Sequence, residues 1–169
     1  TTTSVLFVGD NVAPDPGIET PISPGNTSWA KYWNHGASSW YKYDASDAYE
    51  GIAYMQIPAN KILETRENVE ITVGKKYRMI FYARNNSDAP ITLQSRYVYY
   101  NDQNDHQSTS WTDPFTIDVP ATGKWVRIAM DVSTVSEAGY DKLNFRVENS
   151  GSAAVDIDYF NLYEVLELE

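Results

Sequence analysis

Apolar and polar residues change places at every step along several stretches of this chain, and a period of two is compatible with little except β-strands. Tyr77, Met79 and Phe81 alternate with Arg78, Ile80 and Tyr82, between a turn at Gly74 and a polar cluster at 85–88. Ile91, Leu93, Ser95, Tyr97 and Tyr99 alternate with Thr92, Gln94, Arg96, Val98 and Tyr100. Val126, Ile128, Met130 and Val132 follow a turn at 120–123, and Leu143, Phe145 and Val147 alternate with Asn144, Arg146 and Glu148. Val155 and Ile157 lead into Phe160 and Leu162. Further strands are predicted at 4–9, 40–44, 53–57, 69–73 and 115–119, which makes about ten in all and no helix. Such a pattern predicts an all-β fold, a β-sandwich of two antiparallel sheets that each bury one face.

At 169 residues the chain is the size of one domain with a real core. No Gly/Ser- or Pro-rich linker and no repeat at solenoid spacing divides it, so 1–169 is read as a single domain, with Leu168 and Glu169 left outside the fold argument. No apolar run is long enough for a membrane helix, and the stretch at the start is too polar for a signal peptide. The absence of cysteine excludes disulfides, thiolate zinc sites and cysteine nucleophiles. A net charge of -10 argues against nucleic acid and against anionic membranes as partners.

Aromatic residues are in excess, with 13 Tyr, 5 Trp and 5 Phe. Tyrosine joins an apolar ring to a polar edge, which suits wet sites that stack flat faces and form hydrogen bonds. The polar side of the alternation is unusual as well. It offers Arg78, Tyr82 and Arg84, then Gln94, Arg96 and Tyr100, then Asn144, Arg146 and Glu148. If those strands share one sheet, aromatic rings and planar hydrogen-bonding groups form a ladder of the kind that holds sugar rings. A second aromatic group runs from Trp29 through Trp33 and Trp40 to Tyr49, with Trp29 and Trp33 as candidate platforms at a loop rim. Tyr97 and Tyr99, on the apolar side, read as core.

No specific catalytic arrangement is present. His35 and His106 have no metal-ligand spacing between them, and no Gly-x-Ser-x-Gly elbow or phosphate-cradling glycine loop occurs. Among 23 acidic residues a glycosidase-like pair can always be chosen, so such a pair carries no weight. The carboxylates at Asp10, Asp15, Glu19, Asp44, Asp47, Glu50, Asp156 and Asp158 are alternatively candidates for a hard cation.

Three short motifs fall in a recognisable order: Asp15-Pro16-Gly17-Ile18-Glu19, Ala48-Tyr49-Glu50-Gly51, and Asp156-Ile157-Asp158-Tyr159-Phe160-Asn161-Leu162. Between them Gly74 and Tyr77 open a strand ending in Tyr82-Ala83-Arg84, and Gly123-Lys124-Trp125 opens another. This order resembles the carbohydrate-binding modules of families four, nine, sixteen and twenty-two. Those are β-sandwich jelly rolls appended to polysaccharide-degrading enzymes.

The resemblance implies a non-catalytic, monomeric, extracellular module that binds a polysaccharide and shares its chain with a glycan-degrading catalytic domain. It implies a structural calcium ion held by the Gly17 carbonyl, the Glu19 and Glu50 carboxylates, the Ala53 carbonyl and Asp158, with Ile18 where relatives carry an aromatic. It places sugar contacts at Tyr82 and Tyr100, with Asn144 and Arg146 beside them. The ladder adds Gln94, Arg96 and Arg84, and relatives that use loop aromatics favour Trp29, Trp33 or Trp111. A neutral β-glucan or xylan is the expected ligand. An anionic polysaccharide such as alginate or pectin is the alternative, because Arg78, Arg84, Arg96 and Arg146 lie among the candidates. The other readings are an adhesive or structural sandwich that binds no glycan, and a jelly-roll lyase or hydrolase acting through Glu148 or His106.

Overall fold

The computed structural model describes residues 4–13, 15–66, 68–104, 112–132 and 139–168. Among the described residues, fourteen strands and one 3-10 turn make up the regular structure. In chain order the strands are β1 (Ser4–Val8), β2 (Pro21–Ser23), β3 (Asn26–Ala30), β4 (Trp33–Asn34), β5 (Tyr41–Lys42), β6 (Tyr54–Ile57) and β7 (Ile62–Thr65). They continue as β8 (Val69–Glu70), β9 (Lys76–Arg84), β10 (Ile91–Tyr100), β11 (Phe115–Val119), β12 (Trp125–Val132), β13 (Lys142–Asn149) and β14 (Val155–Leu168).

They form two six-stranded sheets and a hairpin of β2 with β3. Sheet one runs β12-β9-β14-β6-β5, with β1 also on β14, and sheet two runs β11-β10-β13-β7-β4, with β8 also on β13. Strand neighbours are antiparallel throughout, as in the pairing of β10 with β13 and of β12 with β9.

The inner faces are the apolar halves of the alternations. Tyr77, Met79, Phe81 and Ala83 of β9 meet Leu93, Tyr97 and Tyr99 of β10 and Leu143, Phe145 and Val147 of β13 in one core. Phe160 of β14 joins the sheets, its ring 5.2 Å from Phe81, 6.0 Å from Phe145 and 4.3 Å from Trp33. Two buried asparagines close the ends. The Asn149 side chain donates to the Ile57 and Ala153 carbonyls, and that of Asn85 to the Ala89 and Val119 carbonyls.

The strong alternations became strands within a residue or two, and β10 spans the predicted segment. Four strands were not foreseen, namely β2, β3, β4 and β7. Two- to five-residue strands are too short for a period of two to declare itself, and in β7 the outward position carries Ile62. The predicted strand at 69–73 ends at Glu70, and Ser38–Trp40 is a 3-10 turn that precedes β5.

The order of strands also corrects the ladder. Strand β9 belongs to sheet one, whereas β10 and β13 belong to sheet two. Arg78, Tyr82 and Arg84 therefore lie on one outer face of the sandwich, and Gln94, Arg96, Tyr100, Asn144, Arg146 and Glu148 on the opposite one.

Candidate functional site: the outer face of sheet two

Register arranges the polar half of the alternation into cross-strand rows on this face. Arg96 of β10 faces Arg146 of β13, which faces Glu64 of β7, which faces Asn34 of β4. The adjoining row is Thr116, Gln94, Glu148 and Ile62. An Arg146 guanidinium nitrogen lies 3.8 Å from the Glu64 carboxylate. Arg96 donates to the Thr112 carbonyl at 3.4 Å, while its enclosed Nε has no hydrogen-bond partner among the described residues.

Towards the other end Asn144 is tied down. Its Nδ2 donates to Asn68 Oδ1 at 2.8 Å, and its Oδ1 accepts from the Thr65 hydroxyl. Tyr100, half-buried, sits opposite Lys142, whose ammonium pairs with Asp102 at 3.2 Å.

Where the rows reach the β4 and β7 edge the face opens into a depression of about 490 Å³, lined among others by Asn34, His35, Trp40, Lys61, Ile62 and Glu64. Its wall is built around His35, which is 4% exposed and stacked on Trp29 at 4.7 Å. Nε2 accepts the Ala30 N–H at 3.1 Å, so the proton must sit on Nδ1, which donates to the Ala37 carbonyl at 2.9 Å. Burial pushes the imidazole pKa down, and the charge of Arg66 adds to this against the opposing Ala37 bond. The ring is a neutral clamp for the turn that carries Asn34 and Trp40. Sequence reasoning missed Asn34, Lys61, Ile62 and Glu64, because nothing in 61–65 announced a strand.

The outer face of sheet one is organised differently. The Arg84 guanidinium binds Asp156 at 2.8 Å and Asp47 at 2.8 Å, and it stacks on Trp125 at 4.6 Å and Tyr54 at 5.5 Å. At 8% exposure it is a buried tie between loop and sheet, which corrects its place among the sugar contacts. Arg78 is likewise paired, with Asp131 at 2.9 Å. Tyr82 is stacked under Tyr49 at 3.8 Å, and not near Tyr100. Trp33, a candidate platform in the sequence, is 1% exposed and belongs to the core, which removes it as a sugar-facing ring. Trp111 and His106 lie outside the described residues.

Beside Tyr49 the three motifs of the sequence converge. The Glu19 carboxylate accepts the N–H groups of Ile52 at 2.6 Å and Ala53 at 3.4 Å. Asp158 accepts those of Glu50 at 3.1 Å and Tyr159 at 2.7 Å. A Cβ on Gly17 would strike the Glu50 and Glu19 carboxylates, and one on Gly51 would strike that of Glu19, so only glycine fits at either position. Asp158 is fully buried, and burial pushes its pKa up to about 8 against the pull of its N–H partners, with Glu19 adding to the rise. Glu19 is raised too, first by burial and then by the charges of Glu50 and Asp15. The backbone is strained here, with φ +43° at Asp15, +58° at Ile18 and +58° at Tyr159.

Among the described residues no three His, Asp or Glu side chains are grouped so as to hold a metal ion by themselves. A site here therefore needs backbone carbonyls beside the carboxylates, the mixed oxygen set that calcium takes. Facing carboxylates with raised pKa values and with N–H groups as their hydrogen-bond donors fit such an ion in chemical type.

No family model matches this sequence, and no curated protein does. The fold, however, recurs among solved structures. The CBM22-1 xylan-binding domain of Paenibacillus barcinonensis Xyn10C superposes with a TM-score of 0.59 at 16% identity, covering 94% of this chain and 97% of that one. TmCBM61, solved in complex with β-1,4-galactotriose, gives 0.56 at 17% identity, over 92% of this chain and 99% of that one. The enzymatically active domain of bacteriophage CBA120 tailspike protein 4 gives 0.57 at 12% identity, over 91% of this chain and 21% of that one. At these identities the likeness establishes the jelly-roll β-sandwich alone, a fold that recurs in binding modules and as about a fifth of an enzymatically active tailspike chain.

Proposed function

We propose that this chain is a non-catalytic carbohydrate-binding module. It holds a polysaccharide on the outer face of sheet two and keeps an attached glycan-degrading domain at its substrate outside the cell. The observation that carries this reading is the continuous surface from the depression at Asn34 and Trp40 across Glu64, Arg146 and Arg96 to Gln94. Planar amide, carboxylate and guanidinium groups there present forks to ring hydroxyls. The fold neighbours described as xylan-binding and as a galactotriose complex support the same class of ligand.

A neutral β-linked chain is favoured, since Glu64 and Glu148 balance the charge of Arg96 and Arg146. An anionic glycan is the second reading, and it rests on Arg96 facing Arg146 directly across the strands, where two guanidinium forks could meet one carboxylate of the ligand. Affinity should be modest, because polar contacts to hydroxyls displace water and the ligand loses freedom. Electrophoresis through gels containing xylan, β-glucan, alginate or pectin tests both readings. Retardation by xylan or β-glucan supports the neutral chain, retardation by the uronates alone supports the second reading, and free migration in every gel overturns the function.

Gly17, Glu19, Glu50, Ala53 and Asp158 would hold a structural calcium ion that joins the segment before β2, the turn before β6 and the bulge of β14. When bound, the ion would supply positive charge to the fully buried Asp158, the half-buried Glu19 and the exposed Glu50. The chain's part is to deliver them through the Gly17 and Gly51 turns. Calcium should raise the melting temperature and EDTA lower it; superimposable melts in the two buffers would remove the ion from the proposal.

A further inference from the structure

The outer face of sheet one, on the opposite side of the sandwich from the proposed cleft, carries a cluster of aromatic rings. Tyr49 is 41% exposed and lies on Tyr82 with ring centres 3.8 Å apart and planes inclined by 14°. Tyr159 adjoins both, at 5.9 Å from Tyr49 and 6.1 Å from Tyr82, tilted by 40° and 36°. Trp125 meets the edge of Tyr49 at 6.0 Å. Exposed Arg127 stands across the strands from Tyr82.

The presence of Tyr159 on this surface is the telling feature. Strict alternation after Asp158, which faces outward opposite Tyr82, would turn the next side chain into the core. The pairing of β14 with β9 instead slips between Asp158 and Asn161. Tyr159 takes φ +58°, and the side chain that fills the core is Phe160, fully buried. A bulge re-aims a side chain, and here it sets a third tyrosine beside two stacked ones, in a backbone region costly for any residue but glycine.

We propose that Tyr49 and Tyr159, with Tyr82 packed beneath Tyr49 as their support, form a second carbohydrate-binding surface, which stacks the C–H faces of a neutral β-linked glycan. Inclined neighbouring rings suit a chain whose successive sugar units are twisted, and the phenol hydroxyls and Arg127 supply hydrogen bonds at the rim. With the cleft on the other face, one module would then hold two chains at once. This goes beyond the proposed function and does not depend on where the cleft binds.

The test is a two-dimensional NMR titration of the whole chain in calcium buffer with xylohexaose and with cellohexaose. The starting point is an Arg96→Ala/Arg146→Ala background that disables the cleft. Saturable shifts at Tyr49, Tyr82 and Tyr159 are expected, reduced about tenfold in apparent affinity or abolished by Tyr49→Ala. Tyr159→Gly separates binding from folding. Glycine adopts a positive φ without strain, so the melting temperature should hold or rise while the tyrosine response is lost. Silence of the tyrosines with both oligosaccharides overturns the second surface, whatever the cleft of the unmodified chain does. So do tyrosine shifts that depend on protein concentration without sugar, which identify a self-association face. A Tyr159→Gly variant that melts lower yet still binds also overturns it.

Discussion

Trp33 illustrates how a single residue misleads when its element is invisible. It stands in a stretch rich in Trp and Tyr that looks like a loop rim, yet its two-residue strand turns the indole onto Phe160 and leaves 1% of it exposed. Trp33→Ala should destabilise the fold by about 3–5 kcal/mol. Trp33→Phe should cost less, because it keeps most of the packing and deletes an enclosed indole N–H that has no partner among the described residues. Urea unfolding measures both; a Trp33→Ala variant of native stability would return the ring to the surface. His35 has the opposite history, being polar in sequence and buried in the fold. Burial holds its folded pKa below the ordinary imidazole value of 6.5, so the unfolded chain binds the extra proton first. Its contribution to stability is therefore complete above about pH 6.5 and is lost as the pH falls towards the folded pKa. Between pH 7.5 and pH 5 the native chain should lose more stability than His35→Gln; parallel losses would show that the ring titrates as it does in water.

At the scale of elements, the long alternations were legible because five or more residues in register leave no other periodicity. The pairing of strands was not legible. Nothing local to 76–84 says that β9 lies beside β12 and β14 and not beside β10, and that order moves Tyr82 and Arg84 to the opposite face from Gln94 and Arg96. The strands β4 and β7, which supply Asn34 and Glu64, escaped notice for the same reason that they are short. The converging motifs at 15–19, 48–51 and 156–162 were readable as an ordered set through resemblance, and hydrogen bonds from Ile52 to Glu19 and from Glu50 to Asp158 join the three segments. The tie between the loop at 43–53 and sheet one is Arg84, held between Asp47 and Asp156. Arg84→Met leaves Asp156, 2% exposed, without its cation and should cost about 3–5 kcal/mol, the usual penalty for an orphaned buried charge. Thermal or urea denaturation within a few tenths of native would mean that Gln56 and Asn86, the other donors to Asp156, satisfy it alone.

Across the whole molecule, two sheets with one shared core leave two outer faces with different chemistry. Sheet two offers rows of guanidinium, amide and carboxylate groups ending in a depression; sheet one offers stacked tyrosines beside the buried Asp158. Composition anticipated both ingredients, the tyrosine excess and the few clustered arginines, but only the three-dimensional order separates them. Binding of a polysaccharide by sheet two is the central claim, and its most direct measurement compares the native chain with Gln94→Ala/Arg96→Ala in gels of graded xylan and β-glucan content. The expected result is retardation of the native chain that weakens about tenfold or vanishes in the variant, with the melting temperature unchanged. Equal retardation of the two proteins would contradict it and move the binding of sugar to another face.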